Sequence, residues 1–156
     1  PYGTETMHLL RAEKGYIIVG QDTDGSITPI DLGLNWMIGK TKTDFLGKRS
    51  LTRSDTVRPD RKQFVGILPL NKEDSLEEGQ HIFFNDSVQT PVPMLGHITS
   101  SYHSPIMGHT FGLAVLKDGR NLIGTKAFAS TSNQKTIPVE IVKPIFYDEK
   151  NERLVS

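Results

Sequence analysis

Apolar and polar positions give this chain two textures. Up to about residue 52, short apolar groups alternate with Gly, Asp and Lys. Beyond Lys62 the apolar residues come in β-rich runs separated by turn residues. The second texture predicts strands over residues 63–69, 79–84, 94–100, 110–116, 126–129 and 136–142, with a closing segment at 144–147. Asn85-Asp86 is a hairpin-turn candidate. Such short strands at turn-marked intervals indicate an antiparallel barrel or sandwich. The first texture predicts a helix over residues 6–13 that stops at Gly15, a residue free to adopt φ > 0. The β-branched run at 17–19 then reads as a buried strand. Thr28 and Pro29 suit the N-cap and N1 of a short helix ending at Gly33. Residues 35–38 read as a strand holding the one tryptophan, Trp36, as a packed core aromatic. Asp44 caps a last helical stretch through Thr52, whose Phe45, Leu46 and Leu51 share one side.

The expected class is α+β and mainly antiparallel β. Residues 1–52 form the end of an α+β unit, and residues 53–156 form a six-stranded barrel domain beginning in the polar, Pro59-containing stretch. No fixed-period repeat or low-complexity tract is present.

Charge narrows the function classes. Eighteen basic and eighteen acidic residues cancel, so no global field draws the chain to nucleic acid or an anionic membrane. No apolar run approaches the ~20 residues of a membrane span. The absence of cysteine excludes disulfides and Cys-ligated zinc, and makes the cytoplasm the expected compartment. Opening on Pro1 suggests an excised piece of a longer protein.

Few residues suggest chemistry. Asp22-Thr23-Asp24-Gly25-Ser26 has Asx-turn character but lacks the remaining ligands of a calcium loop. Gly39-Lys40-Thr41-Lys42 lacks the upstream glycine of a phosphate-binding loop. His97, His103 and His109 have no carboxylate cluster beside them and read as loop and hairpin histidines, so no metal is expected. Ser100, Ser101 and Ser104 stand outside any nucleophile elbow and read as turn-forming serines. Glu13 is the strongest candidate. It falls in the last turn of the first helix, where partial negative charge disfavours a carboxylate. There it is either an exposed helical Glu or one whose partner offsets that cost.

An ordered set of motifs bears on that choice: Leu10-Arg11-x-Glu13-x-Gly15, Gly20-Gln21-Asp22-Thr23-Asp24, Thr28-Pro29, Gly33-Leu34 and Asp44-Phe45-Leu46-Gly47-Lys48. In this order and spacing the chain resembles the folate-binding aminomethyltransferase family of the glycine cleavage system. The resemblance is dense over residues 3–51 and looser beyond, where Gly96 to Pro105 is similar to the family's β-barrel domain. Gly3-Thr4-Glu5, Gly39-Lys40-Thr41-Lys42 and Pro144-Ile145-Phe146-Tyr147-Asp148 resemble alpha subunits of heterotetrameric amine oxidases within that family.

The resemblance implies that tetrahydrofolate is the cofactor and that Glu13 binds its pterin. A carboxylate is the side chain able to accept from two neighbouring N–H groups at once. It assigns Lys42 to the carboxylates of the folate tail, at a position where glycine-cleavage relatives carry Arg; lysine keeps the charge but not the planar fork. The family's catalytic Asp matches nothing here, so no catalytic residue is expected and the isolated chain should be inactive. FAD, FMN and NAD are expected elsewhere in the full complex, whose other subunits are the implied partners. The implied function is capture, as 5,10-methylenetetrahydrofolate, of the one-carbon unit released by oxidative demethylation of sarcosine to glycine. Two alternatives remain: a non-catalytic barrel used for subunit docking, and part of a stand-alone folate-dependent aminomethyltransferase or demethylase.

Overall fold

Six antiparallel strands close into a barrel: β1 (Lys62–Pro69), β2 (His81–Phe83), β3 (Gly96–Ser104), β4 (His109–Lys117), β5 (Lys126–Ser130) and β6 (Thr136–Val142). The computed structural model describes residues 1–85, 92–133, 135–153 and 155. The strand order is β1-β4-β3-β2-β5-β6, and β6 pairs back onto β1 through Ile67↔Ile141. The predicted runs at 63–69, 110–116 and 136–142 fall on β1, β4 and β6, and the others lie within a few residues of their strands. Asp86, half of the predicted hairpin turn, lies outside the described residues.

β4 shows why its sequence is a continuous apolar run and not an alternation. Ala114 and Leu116 point into the barrel with Val65, Ile67, Ile98 and Ile141. Phe111, Leu113 and Val115 point outward, into a second core shared with Phe64 and Ala12. Both faces of the strand are therefore dry. Residues from the first part of the chain, among them Leu9, Ile17, Ile27 and Leu32, cover that outer face.

The β3–β4 hairpin carries a register shift between Ile98 and Ser100. In a regular strand Thr99 and Ser100 would face opposite sides. At this irregularity both hydroxyls reach the same oxygen of Asp22, which is how a bulge re-aims side chains. Past it, Ser100, Tyr102 and Ser104 follow the two-residue period and meet the N-terminal helix α1 (Thr4–Glu13).

Four local expectations for the first 52 residues are corrected. Residues 17–19 form no strand, because the Ile18 N–H is taken by the Asp22 carboxylate at 2.8 Å and not by a neighbouring strand. The stretch after Thr28 is a run of turns ending at Gly33, where φ is +76°, and not a helix. Residues Asn35–Met37 form a short 3-10 turn, and Trp36 is 72% exposed instead of packed in the core. Asp44 accepts from the Phe45 N–H at 2.9 Å, yet the helical turn begins only at Lys48 (Lys48–Thr52), after Gly47 at φ +93°.

Phe111 is fully buried, with its ring centroid 4.5 Å from that of Phe146 and 6.4 Å from that of Tyr102. Phe111→Ala should cost about 3–5 kcal/mol, the range for large aromatic truncations in a core. Urea unfolding measures it. A loss below about 1 kcal/mol, the size of a surface substitution, would mean that the second core contributes little.

Candidate functional site

Helix α1 ends against the last part of the chain. Gly15 sits at φ +72°, and a Cβ there would lie 2.2 Å from the Pro144 carbonyl oxygen, so both backbone sign and space demand glycine. The Glu13 carbonyl accepts the N–H groups of Phe146 and Tyr147 at 2.9 and 3.1 Å. Lys14 donates through Nζ to the Asp148 carboxylate at 2.9 Å and to Asn151 at 2.8 Å. These contacts supply donors and positive charge at the negative end of the helix. The Glu13 side chain is 2% exposed, and Ser104 Oγ donates to its Oε1 at 2.6 Å. Of the two readings open from the sequence, Glu13 is thus the partnered carboxylate.

One turn earlier, Arg11 pairs with Asp22 at 2.5 Å. Its other terminal nitrogen donates to Ser100 Oγ at 2.8 Å and to the Tyr102 hydroxyl at 3.1 Å. The guanidinium carbon lies 5.5 Å from the centre of the Tyr102 ring. Asp22 in turn accepts from Thr99 and Ser100 at 2.5 and 2.6 Å, and from the Ile18 N–H at 2.8 Å. Arg11 Nε is the one buried side-chain nitrogen or oxygen lacking a partner among the described residues.

Three acidic side chains are buried among the described residues: Glu13, Asp22 and Asp31. Asp22 has Arg11 and three further donors. Asp31 has Arg61 and both donors of Thr28. Glu13 has one neutral hydroxyl and no cation among the described residues. A carboxylate offers about four acceptor sites, so Glu13 keeps acceptor capacity that its two counterparts have spent.

Lys42 lies elsewhere. It is exposed and lines a groove of about 540 Å³ with Leu34, Met37, Ile38, Phe45 and Leu51. Its stem runs over Gly39, where a Cβ would meet Lys42 Cδ at 3.3 Å. That groove does not include Glu13, so the two sequence-predicted site residues do not share it. The histidines are dispersed. His97 faces His81 across β2–β3, and burial, followed by the charges of Lys62 and His81, holds it below its ordinary pKa. His103 is exposed, and His109 Nδ1 donates to the Thr110 carbonyl at 2.8 Å. Among the described residues no three His, Cys, Asp or Glu side chains are grouped to hold a metal. Asp24 closes an Asx turn, accepting from the Ser26 hydroxyl and N–H at 2.6 and 2.7 Å.

The sequence reading passed over Thr99 and Tyr102, placed Asp22 only in a turn cluster, and took Ser100, Ser101 and Ser104 as turn-forming, whereas all three serines lie on strand β3, where backbone pairing with β4 holds them. The signal was present in the two-residue spacing of Ser100, Tyr102 and Ser104, which extends β3 beyond the apolar run.

Comparison with known proteins places this arrangement in a family. The model of the glycine cleavage T-protein C-terminal barrel domain matches residues 62–148, and that of the GCVT N-terminal domain matches residues 1–42. The chain belongs to the glycine cleavage T-protein family. Over 155 residues it is 48% identical to sarcosine oxidase subunit alpha of Corynebacterium sp. (strain P-1), covering 98% of this chain and 16% of that subunit. The Rhizobium meliloti (strain 1021) subunit alpha is 39% identical over 99% of this chain, again 16% of its own length. An aminomethyltransferase of Clostridium botulinum (strain Kyoto / Type A2) is 29% identical over 97% of this chain and 39% of its own. The crystal structure of glycine cleavage system aminomethyltransferase T from Bartonella henselae shares the fold. Its TM-score is 0.74 at 23% identity, over 91% of this chain and 38% of that one. The chain therefore spans about a sixth of the length of the sarcosine oxidase subunits it matches.

In this T-protein relative a second buried ion pair ties the N-terminal turns to the start of β1. Arg61 donates to Asp31 through Nη2 at 2.7 Å and through Nε at 2.9 Å. It also reaches Asp55 at 3.2 Å and the Ser26 carbonyl. Burial alone would raise the Asp31 pKa, but the Arg61 guanidinium and the Thr28 donors outweigh it and hold the group below 3.8. A carboxyl depressed in the folded state adds stability that is fully present above its unfolded value. The stability contribution of Asp31 should therefore be complete above pH 3.8 and vanish as pH falls from there through the lower folded-state value. Unfolding free energies of wild type and Asp31→Asn across pH 2 to 7 test this. Their gap should close below about pH 3.8, and a constant gap would contradict the linkage.

Proposed function

We propose that this chain is the C-terminal part of a sarcosine oxidase alpha-type subunit, and that within the complete subunit Glu13 binds the pterin of tetrahydrofolate. The observation that carries the reading is the buried Glu13 carboxylate with one neutral donor and no cation among the described residues. An acceptor-only group of this kind fits a ligand edge made of N–H donors. It also falls on the Leu-Arg-x-Glu-x-Gly motif, in a chain 48% identical to a sarcosine oxidase subunit alpha.

Tetrahydrofolate, when bound, supplies the nitrogens that take up the one-carbon unit from sarcosine demethylation, giving 5,10-methylenetetrahydrofolate. This chain's part is positional. Helix α1 fixes the Glu13 backbone, the carboxylate accepts two N–H groups, and the dry surroundings strengthen those bonds. Holding a ligand nitrogen in place raises its effective concentration toward the reacting carbon. Lys42, exposed on its groove, meets the carboxylates of the folate tail as a point charge.

FAD, FMN, NAD and the oxidation step belong to other domains and subunits of the complex. The exposed Trp36 and Met37, at 72% and 63%, support burial of this face against other parts of that larger protein. The cysteine-free composition supports a cytoplasmic setting. The same Glu13–Ser104 bond also suits a purely structural carboxylate, with the barrel serving subunit docking.

Tetrahydrofolate titration of the complete subunit separates the two. Glu13→Gln presents a donor to a donor edge and removes the charge, so affinity should fall by roughly 30- to 1000-fold, about 2–4 kcal/mol. Unchanged affinity would leave Glu13 structural. Lys42→Ala should cost less, because a solvent-facing charge is screened. The isolated 156-residue chain should not turn over sarcosine, and measurable peroxide release from it alone would refute the placement of the chemistry elsewhere.

A further inference from the structure

We propose that Ser104, at the end of β3, is a positioning residue for the Glu13 carboxylate, so that the barrel sets the acceptor geometry of the pterin site. The inference rests on the folate reading above.

Both side chains are buried, Ser104 fully. A hydroxyl has one proton and two lone pairs. The Met107 N–H donates into Ser104 Oγ at 3.2 Å, so one lone pair is used and the proton points to Glu13 Oε1, 2.6 Å away. The helix backbone fixes where the Glu13 side chain starts but not the plane of its carboxylate, since the terminal torsion of Glu is broad. One strong bond at Oε1 fixes that plane. It uses one acceptor site and leaves the others for a ligand.

Ser104 is itself firmly placed. Its carbonyl accepts from Gly108 N–H at 2.8 Å, across a turn whose Gly108 has φ +74°, and it faces His109 in the β3–β4 ladder. Ser100 and Tyr102, on the same strand face, are bound by Arg11 from the same helix that carries Glu13. The Glu13 carbonyl is held from the other side by Phe146 and Tyr147. Helix and strand are thus held in one relative position along their contact, and the carboxylate takes its orientation from the strand.

The test is tetrahydrofolate titration of the complete subunit carrying Ser104→Ala, Glu13→Ala, both, and Glu13→Gln. Ser104→Ala should weaken binding roughly 10-fold, the scale of one hydrogen bond to a charged group. In the Glu13→Ala background the same change should alter affinity by less than about twofold, because the group it acts through is gone. Wild-type affinity in Ser104→Ala, with Glu13→Gln still weakened, would overturn this proposal while leaving the folate reading intact. Equal factors with and without Glu13 would also overturn it, since general destabilisation acts alike in both backgrounds. Wild-type affinity in Glu13→Gln would remove the folate reading and this proposal together.

Discussion

Asp22 holds the two parts of the chain together. Its two oxygens accept from helix α1 through Arg11, from the loop after it through the Ile18 N–H, and from β3 through Thr99 and Ser100. Removing one partner of such a buried pair leaves an uncompensated charge and typically costs about 3–5 kcal/mol. The bulge in β3 exists in the same context. Without it Thr99 and Ser100 would not both reach Asp22. The β3 irregularity and the docking of helix α1 thus meet at one carboxylate, one turn from Glu13.

Electrostatics and apolar packing divide the work at this junction. The second core, with Ala12, Phe64, Phe111 and Leu113, supplies the non-directional attraction between the N-terminal segment and the barrel. The ion pairs Arg11–Asp22, Arg61–Asp31 and Lys14–Asp148 fix which way that segment sits. Ion pairs of this kind give geometry more reliably than net stability. A site that must hold one carboxylate at a fixed angle needs geometry.

The barrel was legible in the sequence because each strand finds its neighbours within the chain. β6 could be read from residues 136–142 alone, since its apolar positions answer to β1 and β5. The first 52 residues were less legible for the converse reason. Ile17, Ile18 and Val19 have strand composition, but no strand pairs with them among the described residues, and a side chain takes the Ile18 N–H instead. Trp36 was read as core from its apolar area, yet it is left 72% exposed. Glu13 could be singled out from its place at a helix end and its motif. Its partner could not, because Ser104 lies 91 residues away and the contact depends on how β3 meets α1. Nor does local sequence reveal that Lys42 lines a groove apart from Glu13.

Gly15 and the carbonyl of Glu13 bear on the order of events during synthesis. The end of helix α1 is closed by Pro144, Phe146, Tyr147 and Asp148, which a ribosome adds about 130 residues later. At roughly 5–20 residues per second the helix waits on the order of ten seconds for the residues that cap it. A ten-residue helix is marginal on its own in water. Ser104 follows Glu13 by 91 residues and the capping residues follow it by over 130, so the Glu13 carboxylate gains its hydroxyl partner and its fixed backbone only after most of the barrel has been made.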